Sequence, residues 1–215
     1  IVFGDWSSDV CSSDLFVAPK KPAETDLPAR PRYRKVSAEK LGGKRWDIRL
    51  SESNNLVLDR PRVKIGDQAW TEPTEILRAD RLVRDALGIP ARGGAMVQPW
   101  ARPAKKNPAR IPVLLKYAFD ADAVPSGDLF LAVERPDTFR ISVNGTGVDT
   151  DMECGWWTDL SLKKIPVDPN LLRIGTNEIL LECDYAETHP GLEIGYLMGN
   201  FGAKVKKTDV TMTAA

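Results

Sequence analysis

Acidic and aromatic side chains supply most of the chemistry available in this sequence. Trp156 and Trp157 stand side by side in the run GWWTDLS, with Asp159 just beyond them. An indole face stacks on the apolar face of a sugar ring, and a nearby carboxylate accepts bonds from its hydroxyls. Trp156, Trp157 and Asp159 are therefore the candidate carbohydrate-binding residues. Neighbours on a strand point to opposite faces, so at most one of the two indoles faces a ligand. The alternative is structural, with one Trp in a core and the other covering a domain edge.

Hydrolysis of a glycosidic bond needs two carboxylates at a set separation. Glu134, Asp159, Glu182, Asp184 and Glu193 are available. None stands in a recognisable catalytic context, so no catalytic residue is assigned. His189 is the only histidine, which rules out a multi-His metal site within this chain. No Gly-rich phosphate loop is present. No metal and no cofactor are expected. Cys154 and Cys183 either pair or remain free thiols.

The elements that must hold these residues are mostly strands. In RWDIRL (45–50), Trp46, Ile48 and Leu50 alternate with charged residues, the pattern of a half-buried strand. NNLVLDRPRVKIGDQAW reads as two strands broken near Pro61, with a turn at Gly66-Asp67. One helix is expected in TEPTEILRADRLVRDALGIP. Ile76, Ala79, Val83 and Leu87 recur at helical spacing, Thr71 or Thr74 caps the start, and Gly88 and Pro90 end it. Residues 91–110 read as a long loop. Its cluster of Trp100, Lys105, Lys106 and Arg110 is a single basic patch without a nucleic-acid motif.

From residue 111 strands follow closely: IPVLLKYAF, LFLAVE, FRISVNGTGV, then those of WWTDLSLKKIPV, GTNEILLECDY and LEIGYLMGNFGAKV. Asn144-Gly145 is a hairpin turn of the type that needs positive φ at both positions. This turn explains the NGT triplet better than a glycosylation sequon does. Gly175 permits a left-handed conformation before its strand, and Asn177 can bond the backbone of that turn. Short, closely spaced strands with turns between them predict a sandwich or jelly roll.

Composition narrows the function classes. The 215 residues are 42% hydrophobic and 28% charged, with formal net charge zero. There is no global attraction to nucleic acid or to a membrane, and no apolar run approaches the length of a spanning helix. Residues 16–44 are rich in Pro, Lys and Arg and read as a linker. DWSSDVCSSDL, at 5–15, fits neither helical nor strand periodicity and is no signal peptide. Back-translated, it resembles one frame of a common short-read sequencing adapter. That implies an assembly scar over residues 1–15, including Cys11, and a fragment of a larger protein.

The run from FLAVERPDTFRISVNG through GWWTDLSLKKIPV and LLRIGTNEILLEC to YLMGNFG resembles the sugar-binding, galactose-binding-like jelly roll of large bacterial glycoside hydrolases. These are the family 2 enzymes and the family 106-like rhamnosidase proteins. The shared grammar is Val143-Asn144-Gly145, then Trp157-Thr158-Asp159-Leu160-Ser161, Ile165-Pro166-Val167, and Leu172 through Ile179. The resemblance covers about residues 111–205. It implies a mainly β fold, a jelly-roll sandwich with one flanking helix, preceded by a strand-and-helix region over 45–110 and followed by a tail over 206–215. It also implies an accessory, non-catalytic role beside a catalytic barrel, which needs about 250 residues and does not fit here. The implied partners are that missing domain and a carbohydrate. The implied compartment is extracellular or periplasmic if the parent degrades polysaccharide.

Overall fold

The computed structural model describes residues 33–39, 42, 50–91, 108–206 and 209–215. The adapter-like stretch, most of the linker, most of the strand expected over 45–50 and most of the loop expected over 91–110 lie outside these residues. The chain divides into two compact units, Ile1–Asp47 and Ile48–Ala215. In the first, residues 33–39 are exposed and carry no helix or strand. The second is mainly β, with one α-helix among the described residues.

Its strands are β1 (Asn54–Leu58), β2 (Arg62–Ile65), β3 (Arg110–Ala121), β4 (Leu129–Glu134), β5 (Arg140–Val143) and β6 (Thr146–Val148). They continue with β7 (Trp156–Trp157), β8 (Asp159–Val167), β9 (Gly175–Ala186), β10 (Gly195–Gly199), β11 (Gly202–Lys206) and β12 (Asp209–Thr213). Helix α1 spans Ile76–Leu87. One sheet runs β1-β10-β4-β8-β7; the other runs β11-β12-β3-β9-β5-β6, with β2 also paired to β3. All pairings are antiparallel except the short one between β12 and β3.

Alternation decides what each sheet buries. Along β3, Val113, Leu115, Tyr117, Phe119 and Ala121 point inward. They lie opposite Cys183, Leu181, Ile179, Asn177 and Gly175 of β9. In the other sheet Leu129, Leu131 and Val133 of β4 do the same, with Ile165 and Val167 of β8. These inward residues form one buried cluster with Ile76, Ala79 and Val83 of α1. Two sheets sharing one core are consistent with a β-sandwich.

Several details differ from expectation. The helix is capped by Glu75, whose carboxylate accepts from the N–H groups of Leu77 and Arg78, in place of Thr71 or Thr74. Glu has the reach to fill both donors, whereas Thr74 turns its hydroxyl back to the Glu72 carbonyl. Gly88 does end the helix in the left-handed region, at φ 64°. The residues expected as a tail carry β12, and Met212 is buried in the core. No domain boundary falls at residue 111, because β1 pairs with β10 and β2 with β3. Cys154 is exposed, Cys183 is buried, and both are free thiols. Burial pushes the Cys183 thiol up to about 12.

Candidate functional site

The hairpin of β7 and β8 carries the paired tryptophans. Cys154 N–H donates to the Lys164 carbonyl and Lys164 N–H donates to the Gly155 carbonyl, at 2.9 and 2.8 Å. These bonds lay the residues before β7 alongside β8. Trp156 then lies opposite Lys163, and Trp157 opposite Asp159, with a register shift between them. Thr158 makes the tight reversal at φ 61°, a costly conformation for a β-branched residue.

The hairpin separates the three candidate residues. Trp156 remains 52% exposed and shares a face with Lys163, because directly opposed residues point the same way. Trp157 is half-buried and meets the Tyr196 ring edge-on, with centroids 4.8 Å apart. Asp159 is exposed, and its carboxylate accepts from the Ser161 N–H at 2.7 Å. That bond holds the acid below the usual carboxylate range. Asp159 therefore shapes the turn, and Trp156 alone remains open beside the polar face.

Beside Lys163 lies a cleft of about 310 Å³. The short turn that follows β4 gives Arg135, Pro136 and Asp137; the loop after β6 gives Thr150, Asp151 and Glu153; β8 gives Ser161 and Lys163. Arg135 grips Asp137 with two bonds of 2.8 Å, from Nε and Nη2. Lys163 Nζ donates to Glu153 at 2.9 Å, and Ser161 Oγ to Glu134 at 3.1 Å. The guanidinium holds Asp137 below the usual carboxylate range. Arg135 also sits in the left-handed region, at φ 46°. Among the described residues three non-glycine residues have positive φ, namely Arg135, Asn144 and Thr158. Two of them flank this site, and such strain persists where surrounding structure enforces it.

The other carboxylates are placed elsewhere. Glu182 pairs with Arg140 and Asp184 with Arg110, in exposed ion pairs on the outer face. Glu134 and Glu193 both border a void of about 10 Å³, room for a single water and too small for a sugar ring. No group of three or more potential metal ligands occurs among the described residues. Arg135, Asp137, Asp151, Glu153 and Lys163 were not singled out from the sequence. The only local signal was a polar loop preceding the Trp pair.

The turn residues are brought together. Asn144 (φ 50°) and Gly145 (φ 83°) form the hairpin turn, and Gly175 (φ 91°) opens β9. Asn144 and Asn177 bond each other at 2.8 Å. Compared with known protein families, curated proteins and solved structures, the chain matches none.

Proposed function

We propose that this chain carries a non-catalytic, galactose-binding-like jelly-roll module of a larger glycoside hydrolase-like protein, and that the module contacts carbohydrate. The observation that carries the binding role is Trp156, an open indole on the same hairpin face as Lys163 at the polar cleft. An aromatic platform beside hydroxyls and carboxylates is the equipment a sugar requires. The jelly-roll reading is supported by the chain's repeated crossing between sheets, as from β4 to β5, β6 to β7, β8 to β9 and β9 to β10. The non-catalytic reading is supported by the scattering of the carboxylates among separate ion pairs.

A bracing role has its own observation. On the outer face of the five-stranded sheet, Val57 lies opposite Tyr196, and Met198 opposite Phe130. Trp157 adds to this apolar face through Tyr196. A neighbouring domain of the same polypeptide would cover it.

Calorimetric titration with a panel of plant and bacterial polysaccharides tests the binding role. Binding should be lost in Trp156→Ala and kept in Trp157→Ala. A chain that binds none of the panel would sink the role, and turnover of an aryl glycoside would sink the non-catalytic reading. Sequencing outward from the locus tests the parent. The frame should run into a barrel with paired acidic residues.

A further inference from the structure

We infer that the cleft lined by Lys163, the residue opposite Trp156 on the β7–β8 hairpin, is built for an uncharged sugar terminus and selects against uronic-acid and sulfated glycans. This inference rests on the carbohydrate-binding reading above and adds the substrate class.

Charge accounting within the cleft carries it. A polyanionic sugar needs a cation free to meet its carboxylate or sulfate. Arg135 is already held by both oxygens of Asp137, and Lys163 by Glu153. A third carboxylate, Asp151, also lines the cleft, and among the described lining residues no further cation balances it. The two cations and three carboxylates leave the cleft with a net negative charge. An incoming sugar carboxylate would meet this field at cations whose charge Asp137 and Glu153 already offset. Like charges juxtaposed at an interface are a recognised device for rejecting wrong partners.

Neutral hydroxyls meet the opposite situation. Each paired carboxylate keeps spare lone pairs that accept from sugar O–H groups. Arg135 and Lys163 keep N–H donors not used by their acids, and Thr150 and Ser161 also line the cleft. The ion pairs fix these side chains before a ligand arrives, which lowers the entropy cost of binding. Size fits as well. The volume of about 310 Å³ is at the lower end of the roughly 300–1,000 Å³ typical of small-molecule sites. That suits the end of a chain and not a long stretch of polymer.

The test is calorimetric titration of the full chain with matched neutral and acidic probes: galactan against polygalacturonate, xylan against glucuronoxylan, and mannan against alginate. The expected result is binding to a neutral member, with its acidic counterpart weaker by about tenfold or more. Raising salt from about 0.01 M to about 1 M, a range over which screening becomes strong, should leave the neutral affinity nearly unchanged. Trp156→Ala should abolish it. Asp151→Lys, an exposed substitution in the loop after β6, should narrow the discrimination by raising the affinity for the acidic probe. Salt-sensitive binding to polygalacturonate or alginate that Trp156→Ala removes would overturn the inference while leaving the carbohydrate reading intact. Absence of binding to every probe would overturn both.

Discussion

Asn177 is fully buried and spends its whole amide on structure. Its Oδ1 accepts from Arg173 N–H at 2.9 Å and from Asn144 Nδ2 at 2.8 Å. Its Nδ2 donates to the carbonyls of Arg173 and Gly175, at 2.7 and 3.0 Å. Asn144 in turn donates to the Leu171 carbonyl and accepts from Glu178 N–H. The two amides clamp the β5–β6 hairpin to the turn that opens β9. Asn177→Ala removes four hydrogen bonds and leaves a void at a fully buried position, and each bond contributes about 0.5–1.5 kcal/mol net. Urea unfolding should therefore show a loss of about 3 kcal/mol or more. The paired tryptophans should behave oppositely to each other. Trp157→Ala removes the edge contact with Tyr196 and some burial, for a loss of about 2 kcal/mol. Trp156→Ala should change stability by no more than about 0.5 kcal/mol, as for an open surface site. The turn roles of Asn144 and Asn177 were readable from spacing, because Asn directly before Gly or two residues after it has a local geometric meaning. Their bond to each other was not, since nothing local marks a contact between residues so far apart in the chain. The same holds for the cleft, whose Lys163–Glu153 ion pair and Ser161–Glu134 hydrogen bond join three separate segments.

Helix α1 shows how an element is fixed by a group that its own pattern conceals. Ile76, Ala79 and Val83 make the buried stripe, and that stripe was readable from helical periodicity. Asp80 and Arg84 were not singled out from the sequence, yet they are 3% and 5% exposed. Asp80 Oδ1 accepts from Tyr185 Oη at 2.6 Å and from Leu192 N–H at 2.9 Å, and Oδ2 accepts from Arg84 Nε at 2.8 Å. The carboxylate thus ties the helix to β9 and to the segment before β10. Burial alone would raise its pKa. The bonds from Tyr185, Leu192 and Arg84 outweigh that effect and hold it below the usual carboxylate value. A depressed folded-state pKa gives stability that is present above the unfolded value of about 3.9 and is lost as pH falls through the lower folded value. Asp80→Asn should cost about 3–5 kcal/mol near neutral pH, the range for breaking a buried pair. Its stability should also fall less steeply on acidification than that of the parent chain. Thermal unfolding of both proteins between about pH 7 and pH 2 checks the sign. Equal slopes would show that Asp80 titrates alike in both states. The closing strands carry a simpler constraint. A Cβ on Gly199 would lie 2.9 Å from Leu129 Cδ1, and one on Gly202 would lie 2.7 Å from the Ala214 carbonyl oxygen. The glycines of YLMGNFG are therefore explained by close packing.

At the scale of the whole molecule, the order of strands in space departs most from their order in the chain. Short alternating segments such as β1 and β2 were readable one by one, but their partners were not. Alternation specifies which face is buried and leaves the neighbour open. Hence the first two strands looked like a lead-in, when β1 in fact completes a sheet through β10, and β2 covers the first half of β3. This arrangement delays closure of the core. β10 lies between β1 and β4, so the five-stranded sheet cannot assemble until nearly the whole chain is available. Such non-local pairing carries a large loop-closure cost before any contact repays it. A chain ending at His189 keeps β3 and β9 but lacks β10, β11 and β12. It leaves β1 without its pairing partner and exposes one edge of β4. It also loses Leu192, Leu197, Phe201 and Met212 from the core. That truncated chain should show no cooperative thermal transition by circular dichroism, whereas the full chain should melt in one step. A cooperative melt in the truncated chain would mean that the β2-β3-β9-β5-β6 sheet is stable by itself. The last strands would then be a late addition to a finished domain, not the element that closes the five-stranded sheet.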